Sequence, residues 1–228
     1  MRERHFDISL REVKEKLVGM GGLVESAIEA AMEGLQRADH SFFAKLYGIE
    51  KQVNLAHIAV DDACVKLLAL QQPLAADLRL IIAIIKINTD LERMGDQAVN
   101  IAHNAEHYIK AEPLKPLVDL PKMFSEARWM VREALDSFVK HDIDLARGVL
   151  QRDDIVDGLK HKIMKDVLEV LKAQPKAIEQ GLSLILVARN LERIGDHATN
   201  IAEDVIFAIT GEDIRHNPKL ETVKKAMQ

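Results

Sequence analysis

Apolar side chains recur in alternating steps of three and four along successive stretches of this chain, the spacing of a stripe on one side of an α-helix. The clearest stripe runs through Ile84, Ile87, Leu91, Met94, Ala98, Ile101 and Ala105. It returns as Leu184, Val187, Leu191, Ile194, Ala198, Ile201 and Val205, at a constant offset of 100. A second stripe, Leu46, Ile49, Val53, Ala56, Val60, Ala63, Leu67 and Leu70, is matched at an offset of 103 by Val156, Leu159, Ile163 and Val170. Each half opens with a further amphipathic stretch, about 7–36 and about 119–140. Stripes of this kind need partners on neighbouring helices, so the pattern predicts an all-α fold of two tandem three-helix bundles, six long helices in total.

Breaks between the stripes fit the same scheme. Asp39 and Asp142 stand where the second helix of each half begins and can accept hydrogen bonds from its free N–H groups. Pro73 and Pro175 lie in the turns before the third helices, where the three-residue difference in offset is absorbed. Pro113 and Pro116 interrupt any helix joining the halves. The expected organisation is a first bundle over 1–110, a linker over 111–118, a second bundle over 119–210 and a C-terminal tail over 211–228. Whether the bundles share a core is left open by the pattern.

The duplication keeps more than core formers. Leu-Glu-Arg-Met-Gly-Asp-Gln-Ala-Val-Asn-Ile-Ala at 91–102 reappears as Leu-Glu-Arg-Ile-Gly-Asp-His-Ala-Thr-Asn-Ile-Ala at 191–202, identical at nine of twelve positions. Glu92 with Asp96 and Glu192 with Asp196 are four apart, so each pair shares a helix face, away from the apolar stripe and toward solvent. An outward polar face is the ordinary state of an amphipathic helix. Yet bundle packing does not require Glu92, Arg93, Asp96 and Asn100 to return as Glu192, Arg193, Asp196 and Asn200. Gly95 and Gly195 sit in mid-helix at a cost near 1 kcal/mol relative to Ala, which suggests that another backbone or a ligand approaches there. The preceding helix supplies Glu50 with Asn54 in the first half and Asp153 with Asp157 in the second.

Carboxylates gathered on adjacent helices repel one another unless a cation intervenes. A divalent metal is one solution, and all-oxygen ligands favour Mg²⁺, Mn²⁺ or iron over zinc. Ion pairs with Arg93 and Arg193 are the other. His57, His103, His161 and His197 lie near the pairs and are candidates for a metal shell, His161 foremost because it follows Asp157 by four. Catalysis has less support: the chain carries no Glu-x-x-His, no His-Glu-x-x-His, no glycine-rich phosphate loop and no nucleophile elbow. The residues alone leave open a metal-dependent helical-bundle enzyme, a purely structural scaffold and a binding protein.

Composition narrows the setting. Of 228 residues, 48% are hydrophobic and 29% charged, so a folded core is expected rather than disorder, and only 4% are aromatic, as in helical bundles. A net charge of −5 gives no general attraction to nucleic acid. The apolar run Leu80–Ile85 stops at Lys86, far short of a membrane span, and the charged N-terminus resembles no secretion signal. Cys64 stands alone among Ala63, Val65, Leu67 and Leu68, consistent with a buried thiol in a cytoplasmic protein.

Several segments together resemble the PhoU family: the doubled Leu-Glu-Arg-Ile/Met-Gly-Asp, Val-Asp-Asp-Ala-Cys-Val-Lys-Leu-Leu-Ala at 60–69, Gln-Pro-Leu-Ala-Ala-Asp-Leu-Arg-Leu at 72–80, Gly-Met-Gly-Gly at 19–22 and Gly-Glu-Asp-Ile-Arg-His at 211–216. The resemblance spans almost the whole chain. It implies a cytoplasmic, non-enzymatic accessory protein of bacterial phosphate uptake, built as two three-helix bundles and forming a homodimer. Such a protein acts with the phosphate ABC transporter ATPase and the phosphate sensor histidine kinase to keep phosphate-starvation genes silent, and meets the membrane only through those partners. The resemblance also implies that Glu92 with Asp96, Glu192 with Asp196, and the companion pair Asp153 with Asp157 are surface sites for iron, Mn²⁺ or Mg²⁺. Glu50 with Asn54 departs from the pattern by ending in an amide, so the first bundle is expected to hold metal more weakly than the second.

Overall fold

Two aspartates fix where the second helix of each half starts. In the computed structural model, which describes residues 5–112, 114 and 119–215, the Asp39 carboxylate accepts from Ser41 N at 2.8 Å, and Asp142 accepts from Asp144 N and Leu145 N at 2.9 and 3.2 Å. The residues just before them, Ala38 and His141, both take a left-handed φ of 52°, so the chain leaves one helix and enters the next within two residues. The reversal is closed by Asp39 N donating to Gly34 O and Asp142 N donating to Ser137 O. The two halves thus turn the same corner with the same chemistry.

The helices so delimited are α1 (His5–Arg37), α2 (His40–Gln71), α3 (Ala75–Tyr108), α4 (Asp119–Lys140), α5 (Ile143–Ala173) and α6 (Ile178–Thr210), with a 3₁₀ turn at Pro175–Ala177 before α6. No strand occurs among the described residues. Helices α1, α2 and α3 pack on one another, as do α4, α5 and α6. The prolines of the linker and the tail from 216 onward lie outside the described residues.

The predicted stripes are the cores. Leu91, Met94, Ala98 and Ile101 are wholly buried, as are their counterparts Leu191, Ile194, Ala198 and Ile201. Val53, Val60 and Leu67 of α2 are buried too, whereas Leu70, one residue from the helix end, is largely exposed. Cys64 is buried, and burial pushes its thiol up to about 11, which leaves it an inert apolar side chain.

Helices α3 and α6 also pack against each other, and α1 meets α4, so buried residues of both halves form one continuous core. The α3–α6 contact is antiparallel. Asp90 meets His197, Lys86 meets Asp204, and the Arg79 guanidinium lies over Gly211, so one number rises as the other falls. His197 Nδ1 is 2.8 Å from Asp90 Oδ1, which also accepts from Asn200 at 3.3 Å. Asp204, 2% exposed, is held by Lys86 at 3.2 Å and Arg215 at 3.4 Å.

Of the two mid-helix glycines, Gly95 is explained by packing. A methyl group on Gly95 would lie 3.2 Å from Val53 Cγ1, so this glycine serves close packing of α2 on α3. Gly195 has ordinary room against Met130 and Val156. Neither is approached by another backbone among the described residues.

Two substitutions measure the packing. Leu91→Ala or Leu191→Ala removes a fully buried side chain and is expected to cost about 2–5 kcal/mol in denaturant unfolding. Gly34→Ala drives a new Cβ into the ring of fully buried Phe43 and is expected to cost about 1–3 kcal/mol despite the better helix propensity of Ala.

Candidate functional site: two acidic clusters

Helices α3 and α6 are each buried on two faces, and what remains outside is a narrow polar strip. On α3 that strip carries half-buried Glu92 and exposed Arg93, Asp96 and Asn100; on α6, half-buried Glu192 and exposed Arg193 and Asp196. The four-residue spacing therefore puts each Glu-x-x-x-Asp pair at the surface, as the sequence predicts.

In the first half, α2 brings Glu50 close enough for its charge, after burial, to raise Asp96 above the usual carboxylate range. The Asn54 amide donates to Glu50 Oε1 at 2.5 Å. Farther along α2, His57 Nε2 is 3.4 Å from Asp61 Oδ2. Asn88, buried on α3, donates to Asp61 Oδ1 at 2.8 Å and to the His57 carbonyl at 3.0 Å.

The second half gathers its carboxylates more tightly. Asp196 is pushed up to about 6, first by partial burial and then by the charges of Glu192, Asp153 and Asp157, with His197 opposing. The other three predicted residues of this half thus all act on Asp196. Between α5 and α6 stands a cation that the sequence reading did not single out. Lys160 Nζ lies 2.7 Å from Glu192 Oε1 and 3.1 Å from Asp157 Oδ1. Hydrogen bonding to Glu192 is the main cause that raises the Lys160 ammonium above its ordinary range, so it stays charged at any working pH.

Arg93 and Arg193 do not pair with these carboxylates among the described residues. In the second half the cation paired to the cluster is instead Lys160 of the neighbouring helix. The histidines are otherwise engaged. His161 Nδ1 donates to the backbone carbonyl of Asp157 at 2.8 Å, His103 stacks beside Tyr47 with centroids 5.6 Å apart, and His197 faces Asp90 across the bundle interface. No three His, Cys, Asp or Glu side chains converge on one point among the described residues, so a metal here would require the carboxylates to turn. No helix among them is long and apolar enough to cross a membrane.

The comparison with known proteins agrees with this duplicated architecture. The family model described as the PhoU domain matches twice, over residues 17–105 and 120–205. The chain belongs to the PhoU family. It is 40% identical over 214 residues to the phosphate-specific transport system accessory protein PhoU homolog of Pseudomonas aeruginosa, covering 93% of this chain and 88% of that one. It is 31% identical to phosphate-specific transport system accessory protein PhoU of Escherichia coli, covering 92% and 88%. The crystal structure of PhoU from Pseudomonas aeruginosa superposes with a TM-score of 0.88 at 39% identity, covering 91% of this chain and 100% of the other. That of the phosphate transport system regulatory protein PhoU from Streptococcus pneumoniae gives 0.86 at 28%, covering 92% and 99%. The PhoU fold is therefore shared over about nine-tenths of the chain, and the acidic clusters lie within both matched repeats.

Because ionising Asp196 is harder in the folded protein than in the unfolded chain, its contribution to stability falls as pH rises from about 3.8 through about 6 and is level above that. Asp196→Asn removes the penalty. In chelator-treated buffer the variant is expected to match wild type near pH 4 and to exceed it at pH 8 by on the order of 1 kcal/mol, a figure reduced for the solvent that reaches this side chain. Thermal unfolding at the two pH values checks it.

Proposed function

We propose that this chain is an accessory protein of a phosphate-specific transport system that restrains uptake and holds phosphate-starvation signalling off when phosphate is plentiful. The observation that carries this reading is the match of both repeats to the PhoU domain, together with relatives named for phosphate-specific transport over nine-tenths of the chain. In this reading the protein is a cytoplasmic adaptor, working as a homodimer between the transporter ATPase and the sensor histidine kinase, and it reaches the membrane through them.

The role is binding and regulation rather than catalysis. The acidic faces support it chemically: two like-charged, outward patches at opposite halves of a rigid helical body suit recognition of basic protein surfaces. A divalent cation, Mn²⁺, Mg²⁺ or iron, screens such a patch where its carboxylates are free to turn toward it. Glu50, Glu92 and Asp96, with the Asn54 oxygen, are the donors for it in the first half.

Expression of phosphate-starvation genes in phosphate-replete cells lacking this protein tests the proposal. Strong derepression, reversed by the wild-type chain, is the expected outcome. Unchanged silence would overturn it. Complementation by Glu92→Gln/Asp96→Asn is expected to be impaired while the variant's circular dichroism stays that of wild type.

A further inference from the structure

The two acidic clusters derive from one duplicated motif, yet they differ in the residue that faces them from the neighbouring helix. By the 103-residue offset that relates α2 to α5, Lys160 stands where the first half has His57. His57 turns to Asp61 at 3.4 Å, and the first cluster has no lysine or arginine paired to Glu92 or Asp96 among the described residues. Lys160 instead joins both helices of the second cluster, reaching Glu192 of α6 and Asp157 of α5, and its side chain is only 24% exposed. Its ammonium sits between carboxylates from two helices, as a bridging metal ion would.

We propose that Lys160 is the resident cation of the second cluster and takes the place of a divalent metal there, so that Mn²⁺ gains Glu192 only when Lys160 is removed. Two physical points support this. A metal entering beside Lys160 would add like charge within a few ångströms of an ammonium, and Glu192 would have to surrender a 2.7 Å charge-assisted hydrogen bond to coordinate it. Asp157 would likewise have to give up its 3.1 Å contact with the ammonium to coordinate the same ion. The consequence runs against the ranking expected from Asn54: the second half is richer in carboxylates, but its Glu192 is withheld from metal. The proposal concerns metal selection and is independent of the phosphate role, because it is read in the purified protein.

The test uses the full chain, stripped of metal, with Mn²⁺ as the probe and free hexaaquo Mn²⁺ followed by electron paramagnetic resonance. Wild type and Glu192→Gln are expected to titrate alike. Lys160→Met is expected to gain a site at least roughly tenfold tighter than any that wild type shows through Glu192, and Lys160→Met/Glu192→Gln to lose it again. Lys160→Arg, which keeps the charge, is expected to titrate as wild type. The idea is overturned if Lys160→Met binds Mn²⁺ as wild type does, if Glu192→Gln alone removes a wild-type site, or if Lys160→Arg gains as much as Lys160→Met. Circular dichroism establishes that each variant is folded, and Lys160→Gln replaces Lys160→Met if the latter is not.

Discussion

The double burial of α3 and α6 is the constraint from which the rest of this structure follows. Each helix lays one apolar stripe into its own bundle and a second face against the other, so most of its surface is committed to packing. Only a narrow strip remains for polar side chains. Glu92, Arg93, Asp96 and Asn100 occupy that strip on α3, and their repeats occupy it on α6. The functional candidates are therefore outward because nothing else on these helices can be. Hydrophobic association of two bundles, rather than any property of the carboxylates, sets where charge can be shown.

The interface that imposes this constraint is itself polar in places, and unevenly so. Asp90 meets His197 and Asp204 meets Lys86 and Arg215, all in the half of the interface near the start of α3 and the end of α6. The residues at the mirrored positions are Asn190, Gln97, Asn104 and Leu186, none of them charged. A buried ion pair adds little net stability over an apolar contact, but one left without its partner is costly. Asp204 therefore penalises any sliding of α6 along α3 that would part it from Lys86. The charged half of the interface fixes register, while the apolar residues throughout supply the adhesion.

Much of this fold was legible in the sequence because helix packing writes itself as periodicity. The stripes through Leu91 and Leu191 are the cores, and Asp39 and Asp142 cap the helices that follow them. The second buried face was not legible. Ala83, Asp90 and Gln97 lie off the main stripe and include polar residues, so no hydrophobic period marks them, and their burial depends on which helices of the two halves meet. The same limit applied to the site. Spacing alone puts Glu92 and Asp96 on one face, but it leaves the glycines to another backbone or a ligand, and the balancing charge to a metal or to Arg93 and Arg193. Val53 against Gly95 and Lys160 against Glu192 both depend on the register of two helices packed side by side, which spacing within one helix does not encode.

That dependence on register is also what lets a duplicated motif diverge in function without changing. Glu-x-x-x-Asp is intact in both halves, and by itself it would predict two equivalent sites. The companion helix decides otherwise. A histidine that turns along α2 to Asp61 leaves Glu92 and Asp96 facing solvent, whereas a lysine at the same place on α5 reaches across to Glu192. One difference on a neighbouring helix thus separates a cluster without a paired lysine from one that carries its own cation. Two identical acidic faces would compete for the same surface, whereas two acidic faces that differ by a fixed lysine present distinguishable fields.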